Sequence, residues 1–497
     1  MKTRYLTPII LLLLFVTHDL SASFYNVKDF GARGEGKTLD SPAINNAIEK
    51  AASAGGGTVY FPAGTYLSYS IRLKSNITLF FDNGAVLLAA YPEKNMGYDA
   101  PEPNEFSAYQ DFGHSHWQNS LIWGIGLENI TITGTGLING EGLSREESRL
   151  SGVGNKAISL KLCKNVTISN ISMLRCGHFA LLATGVDNLT IHNVKVDTNR
   201  DGLDIDCCRN VRISDCSVNS PWDDAIVLKS SYALGFFRDT ENITITNCFV
   251  SGYDRGTMLD GTFLREEPQA PDHDFVTGRI KFGTESSGGF KNITITNCIF
   301  ERCRGLALET VDGGSLEDVT ISNITMRDIV NAPIFLRLGA RLRSPKGTPP
   351  GKMSRITISN LNVYNANSRF PSIISGIPGH YIDDVMLNNI RIVYQGGGTK
   401  EEAKIIPPEN ENQYPEPSMF GTIPASGFFI RHARNIKLNN VVIKFLNPDY
   451  RPLIWASDVQ RLKIHDLDVD MEAGVEVFKL TNVDHFEIQH CEKLVTN

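Results

Sequence analysis

NLTIHNV, residues Asn188–Val194, reads as a short strand entered through an asparagine, with Leu189 and Ile191 alternating with Thr190 and His192. Alternation at period two puts the apolar pair on one buried face. The same unit starts 23 residues earlier at Asn165 (NVTISNI) and 22 later at Asn210 (NVRISDC). It recurs from Asn76, Asn129, Asn242, Asn292 and Asp318, with weaker copies from Arg355, Asp384, Asn435, Arg461 and His485. Asp318 follows Asn292 by 26 residues, and the 50 between Asn242 and Asn292 fit one coil with a long loop or two coils. No helical pattern separates the copies. Such a strand predicts an all-β chain wound as a right-handed parallel β-helix, each coil about 4.8 Å above the last.

Several copies begin Asn-x-Thr, the N-glycosylation acceptor pattern. Their place at a coil corner is better explained by a stacked asparagine ladder, with side-chain amides bonding backbone at successive turns. One helix is expected near Ser41–Ala52, with Asp40 or Ser41 as cap and Ala43, Ile44, Ala47 and Ile48 on one face. It would shield the open edge of the first coil. The glycines at 55–57 run into the strand-like TVYFPAGTYL, so no helix follows to make them a phosphate cradle.

The chain has 497 residues, 41% hydrophobic and 21% charged, which excludes a disordered polymer and leaves ample length for a large core. A net charge of −7 speaks against nucleic acid or an anionic membrane as partner. Met1 to about Ser23 reads as a signal peptide: Lys2 and Arg4, then apolar Pro8–Val16, then Ser21-Ala22-Ser23. The apolar run is too short to span a bilayer, and no later segment is longer, so no stable membrane insertion is expected. The expectation is an exported protein, secreted or periplasmic, with residues 24–497 forming one β-helix domain that acts as a monomer. Nine cysteines are odd in number and not spaced as a disulfide framework. Cys216, Cys248, Cys298 and Cys491 each end a repeat unit and read as buried thiols, while adjacent Cys207 and Cys208 leave pairing open. No zinc-ligand spacing occurs, and neither metal nor cofactor is expected.

Coil arithmetic locates the chemistry. Aligning DGLDIDCC from Asp201 with DAIVLKSS from Asp224, a gap of 23, stacks Asp201 directly below Asp224 with Asp223 beside it. Leu203, Ile205, Ile226 and Leu228 then point inward. Asp204 and Asp206 read as solvated surface acids, with Asp206 and Lys229 in one column able to pair. Asp201, Asp223 and Asp224 gather on neighbouring coils and repel one another unless a cation or a shared proton compensates. Inverting glycoside hydrolysis needs one protonated and one ionised carboxyl, and crowding acids together produces that split.

On these residues the chain resembles glycoside hydrolase family 28, the polygalacturonase-type pectinases. Asn199-Arg200-Asp201-Gly202 looks like the family's NTDG motif and Asp223-Asp224 like its DD motif, in the right order on adjacent coils. The opening Phe30–Ala51 and Gly55–Tyr66 is shared with other pectin-active β-helix proteins and specifies only the superfamily. The resemblance implies metal-free inverting hydrolysis at a galacturonosyl carbon in a pectic polysaccharide or oligosaccharide. Asp223 would be the general acid, with Asp201 and Asp224 activating the water.

Two family motifs are missing. Gly-His-Gly should fall at Thr277-Gly278-Arg279, where there is no histidine; His178, 23 residues before Asp201, is the expected stand-in on the coil beneath. Arg-Ile-Lys aligns with Ala307-Leu308-Glu309. In the family those cations bind a galacturonate carboxylate beside the scissile bond; alanine and glutamate remove that attraction. Lys281, in the column of Val227 and Ala307, either substitutes in part or pairs with Glu309. Arg200 and Arg279 are further candidate substrate-binding cations. Loops 98–117 and 404–428 supply aromatics, with His114, His116, Arg431 and His432 facing sugar hydroxyls or carboxylates. The lost cations point to a leaving sugar without a carboxylate, as in the galacturonate–rhamnose linkage of rhamnogalacturonan, cleaved by an exo-acting galacturonidase. The alternatives are a polygalacturonase on homogalacturonan, a calcium-dependent pectate lyase and a non-catalytic β-helix carbohydrate-binding protein.

Overall fold

A computed structural model describes residues 24–146, 150–266 and 275–491; the expected leader, 1–23, lies outside the described residues. Among the described residues thirty-four strands pair in one continuous parallel sheet, wound as the expected right-handed parallel β-helix. Helix α1, Ser41–Ser53, buries Ala43, Ile44, Ala47 and Ile48 against the first coils. Asp40 takes the expected N-cap position but makes no side-chain capping bond: its carboxylate accepts the backbone N–H groups of Arg33 and Gly34 at 2.7 and 3.0 Å instead. Proline in the first turn leaves one fewer donor there to satisfy.

Five strands carry the region of interest: β1 (Phe179–Thr184), β2 (Asp201–Asp206), β3 (Ile226–Ser230), β4 (Ile280–Ser286) and β5 (Leu306–Thr310). Their register confirms the alignment: Leu181 pairs with Leu203, Leu203 with Ile226, and Ile226 with Ile280. Ala183, Ile205, Leu228, Phe282 and Leu308 form a second inward column, fully buried. Each such Ile, Leu or Phe contributes about 1.5–3 kcal/mol, repeated at every coil. Ile243 pairs directly with Ile293, so the long interval is one coil with an extended loop.

The corner asparagines make a ladder, though not to backbone. Asn76, Asn129, Asn165, Asn188, Asn210, Asn242 and Asn292 all take left-handed backbone, with φ between 54° and 63°, a conformation asparagine tolerates best among side-chain-bearing residues. From Asn129 onward each amide nitrogen donates to the oxygen of the asparagine one coil earlier, at 2.8 to 3.3 Å. All nine cysteines are buried and free, Cys207 and Cys208 included.

Loops cover much of the outer face of β1–β5. Trp117 packs on Phe179, Leu182 and Ala233 at one end; Phe420, Ile423 and Ala425 pack on Ala307, Phe335, Ile373 and Phe429 at the other. The stretch between them carries the acids. Among the described residues, no helix is long and apolar enough to cross a membrane.

Candidate active site

Asp201 opens β2, and Asp224 lies two residues before β3, one coil above it. Gly202 permits the close approach: a Cβ there would sit 2.4 Å from the Ala225 carbonyl oxygen. One oxygen from each of Asp201, Asp223 and Asp224 lies within 4.8 Å of the others. The backbone N–H of Asp224 donates to Asp223 at 3.0 Å and to Asp201 at 3.3 Å. Asp201 and Asp224 are buried, while Asp223 keeps 15% of its side chain exposed.

Each carboxylate has its own cation. Arg200 Nη2 and Nε reach Asp223 Oδ2 at 2.7 and 3.1 Å. Arg279 Nε meets Asp224 Oδ1 at 2.8 Å and Lys281 Nζ meets Oδ2 at 3.3 Å. Lys229 Nζ stands 3.7 Å from Asp201. Burial, then the neighbouring charge of Asp223, push the Asp201 carboxyl well above the usual range, against the pull of Lys229. Burial and crowding thus favour the protonated form of Asp201, whereas Asp223, the acid implied by resemblance, is clamped by arginine.

His178 sits one residue before the register partner of Asp201. Its Nδ1 donates to the Arg145 carbonyl at 2.8 Å, and burial, then the charge of Arg200, hold it neutral. Trp222, preceding Asp223, has the guanidinium carbons of Arg145 and Arg255 at 4.8 and 4.1 Å from its ring centre.

Several expectations need correcting. Asp204 and Asp206 are not solvated: both are fully buried. Asp206 accepts from the Ser231 N–H and hydroxyl rather than pairing with Lys229. Lys229 turns instead to Glu285 at 3.2 Å, Asp204 at 3.4 Å and Asp201, because an extended lysine next to three buried acids is stabilised by them. His114 does not reach out for sugar: its Nε2 lies 3.0 Å from Asp204 and 2.6 Å from Lys229 and can donate to the first or accept from the second. His116 is likewise buried, its Nδ1 2.6 Å from the Glu102 carbonyl.

Arg431 and His432 lie four coils beyond β4, about 19 Å along the axis, and pin a loop. Arg431 donates to the carbonyls of Pro407 and Pro408 at 2.9 and 2.7 Å, and His432 contacts Asp458 and Glu409. Arg279 and Lys281 do reach the trio, but each is 2% exposed. Glu416 from the same loop meets Arg279 at 2.5 Å and Arg304 at 2.8 Å. Lys281 donates to the Tyr414 hydroxyl at 3.1 Å and lies 3.7 Å from Glu309, so the pairing reading of Lys281 holds only as a loose contact. Burial raises the Glu309 carboxyl to about 8 despite Lys281 and Arg279, and neither of its oxygens makes a hydrogen bond among the described residues. Glu416, Arg304, Tyr414 and Glu285 escaped sequence reasoning; the one signal was the Arg-Ile-Lys spelled out at 279–281, one coil earlier than the family motif.

Comparison with known proteins agrees with this geometry. Residues 24–175 match the family model described as Rhamnogalacturonase A/epimerase, pectate lyase-like, and residues 101–254, which hold all three aspartates, match Glycosyl hydrolases family 28. A "Probable polygalacturonase" of Vitis vinifera is 28% identical over 369 residues, 68% of this chain and 74% of that protein. An "Exo-poly-alpha-D-galacturonosidase" of Dickeya chrysanthemi is 23% identical over 390 residues; the match takes in 70% of this chain and 63% of that longer protein. The solved family 28 exopolygalacturonase of Yersinia enterocolitica superposes with a TM-score of 0.65 at 19% identity, over 94% of this chain and 78% of that one. Motifs, coil register and family match coincide on the same three carboxylates, which lie in the stretch 101–254 that matches Glycosyl hydrolases family 28, a family of glycoside hydrolases.

Proposed function

We propose that the protein is an exported, exo-acting galacturonidase that hydrolyses the galacturonate–rhamnose linkage of rhamnogalacturonan. The observation that carries the hydrolase reading is the trio itself: three carboxylates within 4.8 Å, each with a fixed cation. Asp223 protonates the leaving oxygen while Asp201 and Asp224 hold and deprotonate the water, giving inversion. His178 and Arg200 orient the sugar from the coil below. The apolar stretch Pro8–Val16 supports export. The segment 405–420, folded over the coils beyond Asp224, supports action at chain ends, as do the names of the Dickeya and Yersinia relatives. The sealed Arg279 and Lys281 favour a neutral sugar on that side. A calcium-dependent lyase fits less well, since a divalent ion would have to compete with four fixed cations for the same carboxylates. Digestion of matched galacturonate–rhamnose and homogalacturonan oligosaccharides, with sugar identification at the new ends, tests the reading. Clear preference for homogalacturonan refutes it.

The raised Asp201 carboxyl and the arginine clamp on Asp223 favour a second assignment, in which Asp201 is the acid and Asp223 shares the water with Asp224. Aryl galacturonides separate the two. A good leaving group needs no acid, so whichever of Asp201→Asn and Asp223→Asn keeps its activity on the aryl substrate marks the acid.

A further inference from the structure

Glu416 sits on two buried arginines. Its Oε1 bridges Arg279 and Arg304 at 2.5 and 2.8 Å. Burial works against its charge, but Arg279 and Arg304 outweigh burial and hold the carboxyl at about 2, so it stays ionised through the neutral range. Both arginines are 2% exposed, with Arg279 already on Asp224. The segment that carries Glu416 is fixed on both sides. Arg337 donates to the carbonyls of Glu409 and Asn410 at 3.1 and 3.3 Å, Tyr414 accepts from Lys281, and Phe420 is buried in the outer apolar cluster. Glu416 Oε2 is buried with no hydrogen-bond partner among the described residues.

We infer that Glu416 is a specificity-determining residue: an internal carboxylate seated where a substrate carboxylate would otherwise meet the cations beside Asp224. The inference rests on the galacturonidase reading and deepens it. The ionised carboxylate can only accept hydrogen bonds, and its charge repels a uronate carboxylate brought beside the same arginines while leaving a neutral sugar unopposed. Glu309, protonated below about pH 8, adds no charge of its own. The adjoining subsite therefore takes a neutral sugar and discriminates against galacturonate.

The test measures kcat and KM for wild type, Glu416→Gln and Arg304→Gln on matched galacturonate–rhamnose and galacturonate–galacturonate oligosaccharides. Glu416→Gln keeps the shape and one acceptor while removing the charge. It is expected to raise kcat/KM on the galacturonate–galacturonate substrate about tenfold or more relative to the galacturonate–rhamnose substrate, through KM. Wild-type activity on the acidic substrate should rise with ionic strength and that of Glu416→Gln should not, a readout that mere loosening of the loop does not move. Arg304→Gln leaves Glu416 less neutralised and should deepen the discrimination, which keeps the proposal testable if Glu416→Gln fails to fold. An unchanged ratio in Glu416→Gln, or a gain on the acidic substrate in Arg304→Gln, overturns the inference alone. Wild type that is inactive on both substrates, or that prefers the acidic one, overturns the galacturonidase reading with it.

Discussion

The corner column Asn129, Asn165, Asn188, Asn210 and Asn242 presents the same side chain at five successive coils, whereas the outward column Leu182, Asp204, Val227, Lys281 and Ala307 changes at every one. The first column satisfies itself: every amide gives to the coil before and takes from the coil after. The second cannot. Its buried charges need partners, and those arrive from distant loops, His114 to Asp204 from one side and Tyr414 to Lys281 from the other. Uniform columns hold coils together, and irregular columns hold chemistry.

Substitutions in the two columns should separate accordingly. Asp223→Asn is expected to have the largest kinetic effect, lowering kcat by about 10²–10⁴-fold while the melting temperature shifts by no more than about 3 °C; a variant that unfolds with retained specific activity would make Asp223 structural. Lys229→Gln comes next and affects both properties. It removes the cation shared by buried Asp204 and Glu285, which keep His114 and Arg343, costing about 3 kcal/mol in denaturant unfolding. Because Lys229 also holds the Asp201 carboxyl down, its loss raises Asp201 further, and the acidic limb of kcat/KM moves to higher pH. A limb that stays in place would separate Lys229 from Asp201. Asn210→Gly keeps the left-handed corner but breaks two ladder links, costing about 1 kcal/mol with kcat unchanged; altered kinetics would blur the division between the columns.

Much of this was legible in the sequence because its causes are local. Period-two Ile, Val and Leu fix the inward face, and an asparagine at positive φ marks each corner. The 23-residue spacing then stacks Asp201 under Asp224 with no structural information. The carboxylates' partners were not legible. Glu416 stands 137 residues from Arg279, and His114 stands 90 from Asp204, across loops that obey no repeat. Asp204 and Asp206 point outward as the alignment requires, yet outward here means under a loop rather than into water. Arg431 and His432 were read as sugar-binding for the same reason: a strand pattern places them on the right face but says nothing of the chain that folds back upon it.

The ladder has a practical consequence. Asn129, Asn165, Asn188, Asn242 and Asn292 each open an Asn-x-Thr triplet, and each uses its amide hydrogen to bind the rung before. A eukaryotic secretory host attaches glycans to such triplets while the chain is still unfolded. One sugar tree on any of these nitrogens wedges two rungs apart at the edge where they must touch. Recombinant material is therefore best made in bacteria, and yeast or insect expression calls for enzymatic deglycosylation checks before any batch is judged inactive.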